Sequence, residues 1–406
     1  MSNISKLIEE LCPDGVEFKS LNDLGKFYGG LKSKSKNDFQ NGNARYISYK
    51  NIYSNIATDL EASDFVSVSS SENQLSLQYG DVLMTGSSEN REEVGLSSVV
   101  ASEPLEKIYL NSFSICYRFN VLEGFNPDFV KYLFRSLEMR KQIEKTANGV
   151  TRINVSKKLL GKVKIPLVPL EIQTKIAKIL DKFTLLEAEL EAELEARRKQ
   201  YAFYQEKVFS FKGQSDLLLP LLKISDISKK VSAGGDVPSE CIKGQELPSE
   251  SHPYPVYSNG SKGNDLYGYS STYKVEGPCV TVSARGTIGY HTVRDGKFTP
   301  IVRLVTIVPD ISKITVEYLN YVLDITEVGS SGGSIPQLTV PKIKDVEIPV
   351  PPLEEQQRIV DILDRFDALV NDISSGLPAE IAARRKQYEH YRDQLLTFKE
   401  LQPAGS

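Results

Sequence analysis

The chain has 406 residues, 40% of them hydrophobic and 25% charged, so two or more packed globular units are expected and a disordered chain is excluded. A formal net charge of −4 excludes a protein that is basic throughout, and any surface meeting nucleic acid must be local and offset by acidic faces. With no basic-then-apolar leader, no apolar run near the roughly 20 residues that span a bilayer, and four scattered cysteines (Cys12, Cys116, Cys241, Cys279) that make neither disulfide framework nor zinc site, the expectation is a soluble cytoplasmic protein with buried thiols.

Residues 1–160 read as a first domain of mixed structure. Short β-rich runs (ARYISY, DFVSVS, GDVLMTG, SVVAS, SICYRFNV) alternate with Gly, Asn and Ser turns, and one helix over PDFVKYLFRSLEMRKQIEKTA closes the domain. Its loops hold Lys32, Lys34, Lys36, Arg45, Tyr49, Lys50, Asn51 and Arg91. Arg and Lys neutralise phosphates, and Arg and Asn make bidentate contacts to base edges. By itself the signal is weak, since KSKSK at 32–36 also reads as a solvated loop.

Residues 161–212 predict a spacer helix. Apolar residues recur in steps of four and three at Ile172, Ile176, Ile179, Phe183, Leu186, Leu190 and Leu194, then Tyr201, Tyr204, Val208 and Phe211, which is a coiled-coil seam. Pro169 stands near its first turn and Glu171 faces the positive end of its dipole. The stretch LEAELEAELEA has no glycine or proline, and residues 171–211 at 1.5 Å each make a rod of about 60 Å.

Residues 213–343 read as a second domain, with runs YPVYSNG, GPCVTVSA, TIGYHTV and IVRLVTIV and a closing helix over VEYLNYVLDITEV. Its candidate contacts are Tyr257, Asn259, Lys262, Tyr267, Tyr269, Arg285, Thr287 and His291. Residues 344–400 repeat the helical pattern with Ile359, Ile362, Phe366, Leu369, Ile373, Leu377 and Ile381, then Tyr388, Tyr391, Leu395 and Phe398. Glu354 stands in the first turn, and a break is expected at Ser374-Ser375-Gly376-Leu377-Pro378. Residues 401–406 are a tail.

The two halves are copies. IPLVPLEIQTKIAKILDKFT at 165–184 returns 183 residues later as IPVPPLEEQQRIVDILDRFD, with eleven of twenty positions identical, and ARRKQY at 196 returns at 383, an offset of 187. NGVTRINV and SGGSIPQL precede the two copies as loops. Two long helices with matching seams predict an antiparallel pair, with the globular segments at opposite ends of a dumbbell.

Three enzyme-like patterns fail on inspection. Asp14, Glu17 and Lys19 spell a metal-dependent nuclease, but within six residues, whereas such ligands come from separate strands. Asn126-Pro127-Asp128-Phe129 resembles the adenine-holding motif of amino-methyltransferases, yet it lacks the second proline and a preceding glycine-rich loop, so it reads as a helix start. His252, His291 and His390 stand far apart with no nucleophile motif beside them. No active site is found.

On the paired Pro-Leu-Glu helices, the ARRKQY pair and the SGGSIPQL loop, the whole chain resembles the specificity subunit of a Type I restriction-modification system. The first half departs from that pattern with NGVTRINV and Val-Pro-Leu-Glu-Ile-Gln. The EAEL repeat is similar to the short spacer repeats of some members. The resemblance implies an α+β fold: two β-rich target-recognition domains with an internal pseudo-two-fold repeat, separated by an antiparallel pair of long coiled-coil helices. It also implies a non-catalytic protein, each half reading one part of a bipartite double-stranded DNA target while the helices set the gap. Two adenine-N6 modification subunits and restriction subunits would be the partners, and S-adenosylmethionine, ATP and Mg²⁺ would be bound by those partners. Gln173, Arg198, Gln356 and Arg385 are expected to meet the modification subunits or to pin the helices together. A coiled-coil scaffold with two protein-binding heads is the alternative, favoured by the acidic net charge. A stand-alone methyltransferase using Asn126–Phe129 would have to bind the methyl donor on this chain alone.

Overall fold

The computed structural model describes residues 2–210, 220–260, 263–326, 338–372 and 374–402. Lys262, most of the SGGSIPQL loop, Phe211, Ile373 and the terminal PAGS lie outside the described residues. The chain divides into two compact units, one of Met1–Leu190 with Ile381–Ser406 and one of Glu191–Glu380.

The first unit is built on strands β1 (Gly25–Gly29), β2 (Val82–Thr85), β3 (Ser97–Val99) and β4 (Ser114–Phe119), antiparallel in the order β1-β4-β2-β3. Alternate residues go to opposite faces. Val82, Met84, Ile115 and Tyr117 enter the main core, while Leu83 and Cys116 enter a second cluster with Ile47, Ile52 and Leu110. Both faces are covered, which is why VLMT is apolar or buried throughout.

The second unit repeats this sheet as β5 (Ser228–Ala233), β6 (Cys279–Ser283), β7 (His291–Arg294) and β8 (Leu304–Pro309), in the order β5-β8-β6-β7. Each unit also carries a smaller sheet with one parallel pairing, Tyr46 and Ile47 against Tyr109 and Leu110, and Val256 and Tyr257 against Thr299 and Pro300. Cys116 and Cys279 are buried as expected, but Cys12 and Cys241 are half-exposed.

The principal helices are α1 (Pro127–Leu133), α2 (Leu137–Glu144), α3 (Leu170–Ser210), α4 (Val316–Asp324), α5 (Leu353–Asn371) and α6 (Leu377–Leu395). The single closing helix expected over 127–147 is therefore two. The Ser136 hydroxyl accepts the Met139 N–H at 3.4 Å and starts α2 afresh. Arg135 turns into the sheet, donating to the carbonyls of Ser97 (2.6 Å) and Ile52 (2.8 Å).

Helix α3 runs unbroken through the glutamate-alanine repeat, and the expected stop after α5 is present. Asp372 accepts the Ser374 N–H at 2.7 Å, and a side chain at Gly376 would meet the Ala368 carbonyl at 2.5 Å. The seam is corrected in detail. On α5, Leu363 and Val370 are buried with Ile359, whereas Ile362 is half-buried and Leu369 is exposed. A straight helix drifts against a 3.5-residue seam, and the buried stripe follows the domain the helix lies on.

The helix pairing crosses the repeat. In the first unit Phe183 on α3 packs against Tyr388 (6.4 Å) and Tyr391 (5.5 Å) on α6, and Glu187 pairs with Arg385, so the two helices run antiparallel. In the second unit Phe366 on α5 packs against Tyr201 (6.2 Å) and Tyr204 (5.4 Å) on the later part of α3. The opening segment of one copy thus meets the closing segment of the other in both units.

One tie between the β-rich domain and its helix also occurs twice. The Tyr132 hydroxyl donates to Asp181 (2.8 Å) and that of Tyr321 to Asp364 (2.6 Å), the aspartates being those of ILDKF and ILDRF. Burial drives both phenols above their ordinary pKa, so they remain donors across the accessible pH range. Tyr132→Phe and Tyr321→Phe should each lower stability by about 1 kcal/mol in urea unfolding. Equal losses would show that the two ties carry equal weight.

Candidate nucleic-acid interface

In both units a polar loop hangs from the same place, between the second and third strands in chain order of the four-stranded sheet: Gly86–Leu96 joins β2 to β3, and Ala284–Tyr290 joins β6 to β7. The first loop carries Arg91, exposed and donating to the Ala147 carbonyl at 3.0 Å. Arg140, buried on α2, holds the same loop from below by donating to the carbonyls of Glu92 (3.0 Å) and Val94 (2.7 Å). The second carries half-buried Arg285, whose own carbonyl accepts the Asn259 amide at 2.9 Å, and exposed Thr287. Gly286 and Gly289 take φ of +77° and +84°, which lets this loop turn tightly.

Around the first loop stand Tyr49 and Lys50, on the short helix Tyr49–Ser54. Tyr49 is stacked on Tyr53 (6.3 Å between ring centres), whose hydroxyl donates to Glu93 of the loop at 3.0 Å. Lys50 is exposed. A hairpin, Ala147–Asn148 with Ile153–Val155, adds to Ser87–Ser88 and presents exposed Asn148, Thr151, Arg152 and Asn154. The sequence reading passed over these four residues. Their signal was the alignment of NGVTRINV with the loop of the second copy.

Several expected contacts are consumed inside the fold. Lys34 has a side chain only 4% exposed, donating to the Ser67 carbonyl (2.5 Å) and pairing with Glu72 (2.6 Å). Hydrogen bonds from Lys34, then Gln74, then the Ser69 N–H hold Glu72 down to about 2. Arg45 pairs with Glu106 (2.7 Å) and donates to the carbonyls of Glu61 and Ala62. Asn51 is buried and exchanges hydrogen bonds with the backbone of Asp59 at 2.7 and 3.2 Å. His291 meets Asn320 (3.0 Å) and Asp324 (3.4 Å); burial pulls its pKa down, but these two partners leave it above the ordinary value. These four act in the fold because a buried charge or amide needs its partners close by.

Lys32 and Lys36 are exposed, on a segment tied to Ser67–Gln74 through Lys34 and through the Lys32 N–H to Gln74 at 3.0 Å. Tyr257 is half-buried under the Arg294 guanidinium (3.5 Å), Tyr267 is half-buried under Lys243 (5.4 Å), and Tyr269 is half-buried in the smaller sheet. The nuclease-like trio is a turn and a strand start, with Lys19 and Glu17 paired at 3.4 Å. Asn126 caps α1 by accepting the Asp128 N–H at 2.9 Å.

The residues expected at partner surfaces divide. Gln173 and Gln356 are buried, and each is a clamp. Gln173 donates to the carbonyls of Gly124 (2.9 Å) and Val168 (2.6 Å) and accepts the Asn126 N–H (2.8 Å). Gln356 donates to those of Lys313 and Pro351 (both 2.8 Å) and accepts the Thr315 N–H (2.9 Å). Neither presents an atom to a partner, because each is enclosed, with both amide N–H groups and the carbonyl oxygen fixing the helix start to the loop before α1 or α4. Arg385 bridges to Glu187, and Arg198 is exposed on α3.

Among the described residues no helix is long and apolar enough to cross a membrane, and no group of three or more His, Cys, Asp or Glu is placed to hold a metal ion. Residues 13–196 and 222–383 match the family described as Type I restriction modification DNA specificity domain. A putative type I specificity subunit of Mycoplasma pneumoniae is 35% identical over 294 residues, 69% of this chain and 85% of that protein. The EcoR124I/EcoR124II specificity subunit of Escherichia coli is 35% identical over 251 residues, 56% of this chain and 60% of that one. A chain from a structure of complex assembly in a type I R-M system shares the fold, with a TM-score of 0.64 at 18% identity over 94% of this chain and 97% of that one.

Proposed function

The chain belongs to the family of type I restriction-modification specificity subunits, and from that membership we propose that its two halves read the two parts of a split DNA target. Its own part in such a system is specificity rather than catalysis. Two adenine-N6 methyltransferase subunits dock on it, one per half, and restriction subunits join them. What supports this reading is one observation: the same sheet is built twice, and from the same place on each hangs a polar loop of different sequence, TGSSENREEVG in one and SARGTIG in the other. A constant frame with unlike loops suits a reader of two unlike half-sites.

Within this reading the contacts are Lys32, Lys36, Tyr49, Lys50, Arg91, Asn259, Arg285 and Thr287, with Asn148, Thr151 and Arg152 added from the hairpin. Lys50→Ala and Arg285→Ala should each weaken binding and reduce the salt slope of affinity by about one. Lys34→Ala should act instead through stability, with an unaltered slope. Titrations over a range of salt concentrations separate the two, and an unaltered slope for Lys50→Ala and Arg285→Ala would remove these loops from the interface. The whole reading is tested by co-expressing the chain with its modification subunit in a methylation-free host and mapping N6-methyladenine. A split motif with one methylated adenine per half is the expected result, and a stable complex that leaves the DNA unmethylated would return the scaffold reading.

A further inference from the structure

We infer that each unit seats one modification subunit at an apolar corner where three parts meet: the start of α3 or α5, the four-residue helix just before β1 or β5 (Leu21–Leu24 or Ile224–Ile227), and the loop beyond the four-stranded sheet. This rests on the reading of two methyltransferase partners given above, and it moves their seat away from the buried glutamines. In the first unit the corner is a groove of about 530 Å³ whose walls include Leu24, Phe125, Leu167 and Pro169. Two large apolar side chains stand open at it, Val121 (61% exposed) and Leu170 (45%). Exposed apolar side chains scattered singly need no explanation, but a pair beside an apolar groove does.

The second unit has the same corner. The Asn120 N–H donates to the Leu24 carbonyl at 2.9 Å, and the Asp310 N–H to that of Ile227 at 2.8 Å. The glutamine clamps then fix the next residues alike, so Ile311 corresponds to Val121 and Leu353 to Leu170. These are also open, 62% and 40% exposed. The polar loops differ completely between the two units, yet this apolar pair is kept in both. A surface written twice fits an occupant bound twice, which is two copies of one protein.

The charges around the corner favour a protein over nucleic acid. Asp23, Glu123 and Glu171 lie near the first, and Lys175 pairs with Glu171 at 2.8 Å. Asp226, Asp310 and Glu354 lie near the second, with Lys313 beside Asp226 and Asp310 and Lys229 also close enough to act on Asp310. Acid is in excess at both, which repels phosphate and suits an apolar knob flanked by basic residues.

The test is the stoichiometry of the co-expressed complex by native mass spectrometry. The parent chain should carry two modification subunits, Leu170→Asp one, Leu353→Asp one, and the double variant none, with at least a tenfold loss of affinity at each altered corner. Val121→Lys with Ile311→Lys, on a different element, should give the same loss, while Leu170→Met should retain both copies. Urea midpoints and DNA binding of the isolated chain should be unaltered, since all four side chains are exposed. Two copies on the double variants would overturn the inference and leave the proposed function standing. A parent chain that binds no modification subunit would overturn the proposed function itself. Self-association of the isolated chain, abolished by Leu170→Asp, would overturn the inference by making the occupant a second copy of this chain.

Discussion

Replacing Gln356 with leucine lowers the stability of the second unit by about 3 kcal/mol, since each buried backbone group deprived of its partner costs about 1–3 kcal/mol. The side chain is enclosed, and leucine fills nearly the same volume, so packing is little altered. What changes is that the Thr315 N–H and the carbonyls of Lys313 and Pro351 lose their partner at once. Gln173→Leu should do the same to the first unit through Asn126, Gly124 and Val168. Urea unfolding reports the loss, and hydrogen exchange at Thr315 and Asn126 locates it. An unaltered midpoint combined with lost binding of the modification subunit would return the glutamines to the partner surface.

The second large effect is on the DNA target. Deleting Glu191–Leu194, one EAEL unit within α3, shortens the helix by about 6 Å and turns whatever follows by about 40°. At 3.4 Å per base pair that is an interval shorter by about two base pairs. Methylation mapping should therefore find both half-sites unaltered, a smaller gap between them, and little or no modification of the original target. The Glu193–Arg197 pair that is lost is exposed and worth under about 0.5 kcal/mol, and the deletion brings Glu189 to four residues before Arg197 in its place. An unaltered interval would sink the idea that the helix is a ruler.

Much of the fold was legible because its signals are local. The Pro-Leu-Glu helix starts, the unbroken EAEL stretch and the stop before Leu377 each depend on residues within a turn or two of one another. Asn126 was rightly read as a helix start for the same reason. The candidate contacts were less legible. Lys34, Arg45, Asn51 and His291 have the composition of DNA readers, but their partners Glu72, Glu106, Asp59 and Asp324 stand 8 to 61 residues away. No local pattern distinguishes a lysine that is free from one already paired. Arg152 was not among the candidates for the converse reason, since the pairing of its hairpin with Ser87–Ser88 is what carries it beside Arg91's loop.

By itself the sequence determined that the chain is written twice and that each copy is a β-rich segment followed by a long helical pattern, because a repeat and a helical seam are properties of spacing alone. The family resemblance rested instead on the particular motifs, the paired Pro-Leu-Glu helices, ARRKQY and SGGSIPQL. Only the tertiary structure decided what the repeat is for within each unit. Phe183 could pack with the tyrosines of either ARRKQY segment as far as spacing is concerned, but it takes Tyr388 and Tyr391, and Phe366 takes Tyr201 and Tyr204. Helix α3 runs unbroken and cannot fold back onto its own start, so Phe183 is covered by α6, and the end of α3 is left to cover Phe366. The same tertiary assembly buried the two glutamines and left Leu170 and Leu353 open, a choice set by which face of each helix its own domain occupies.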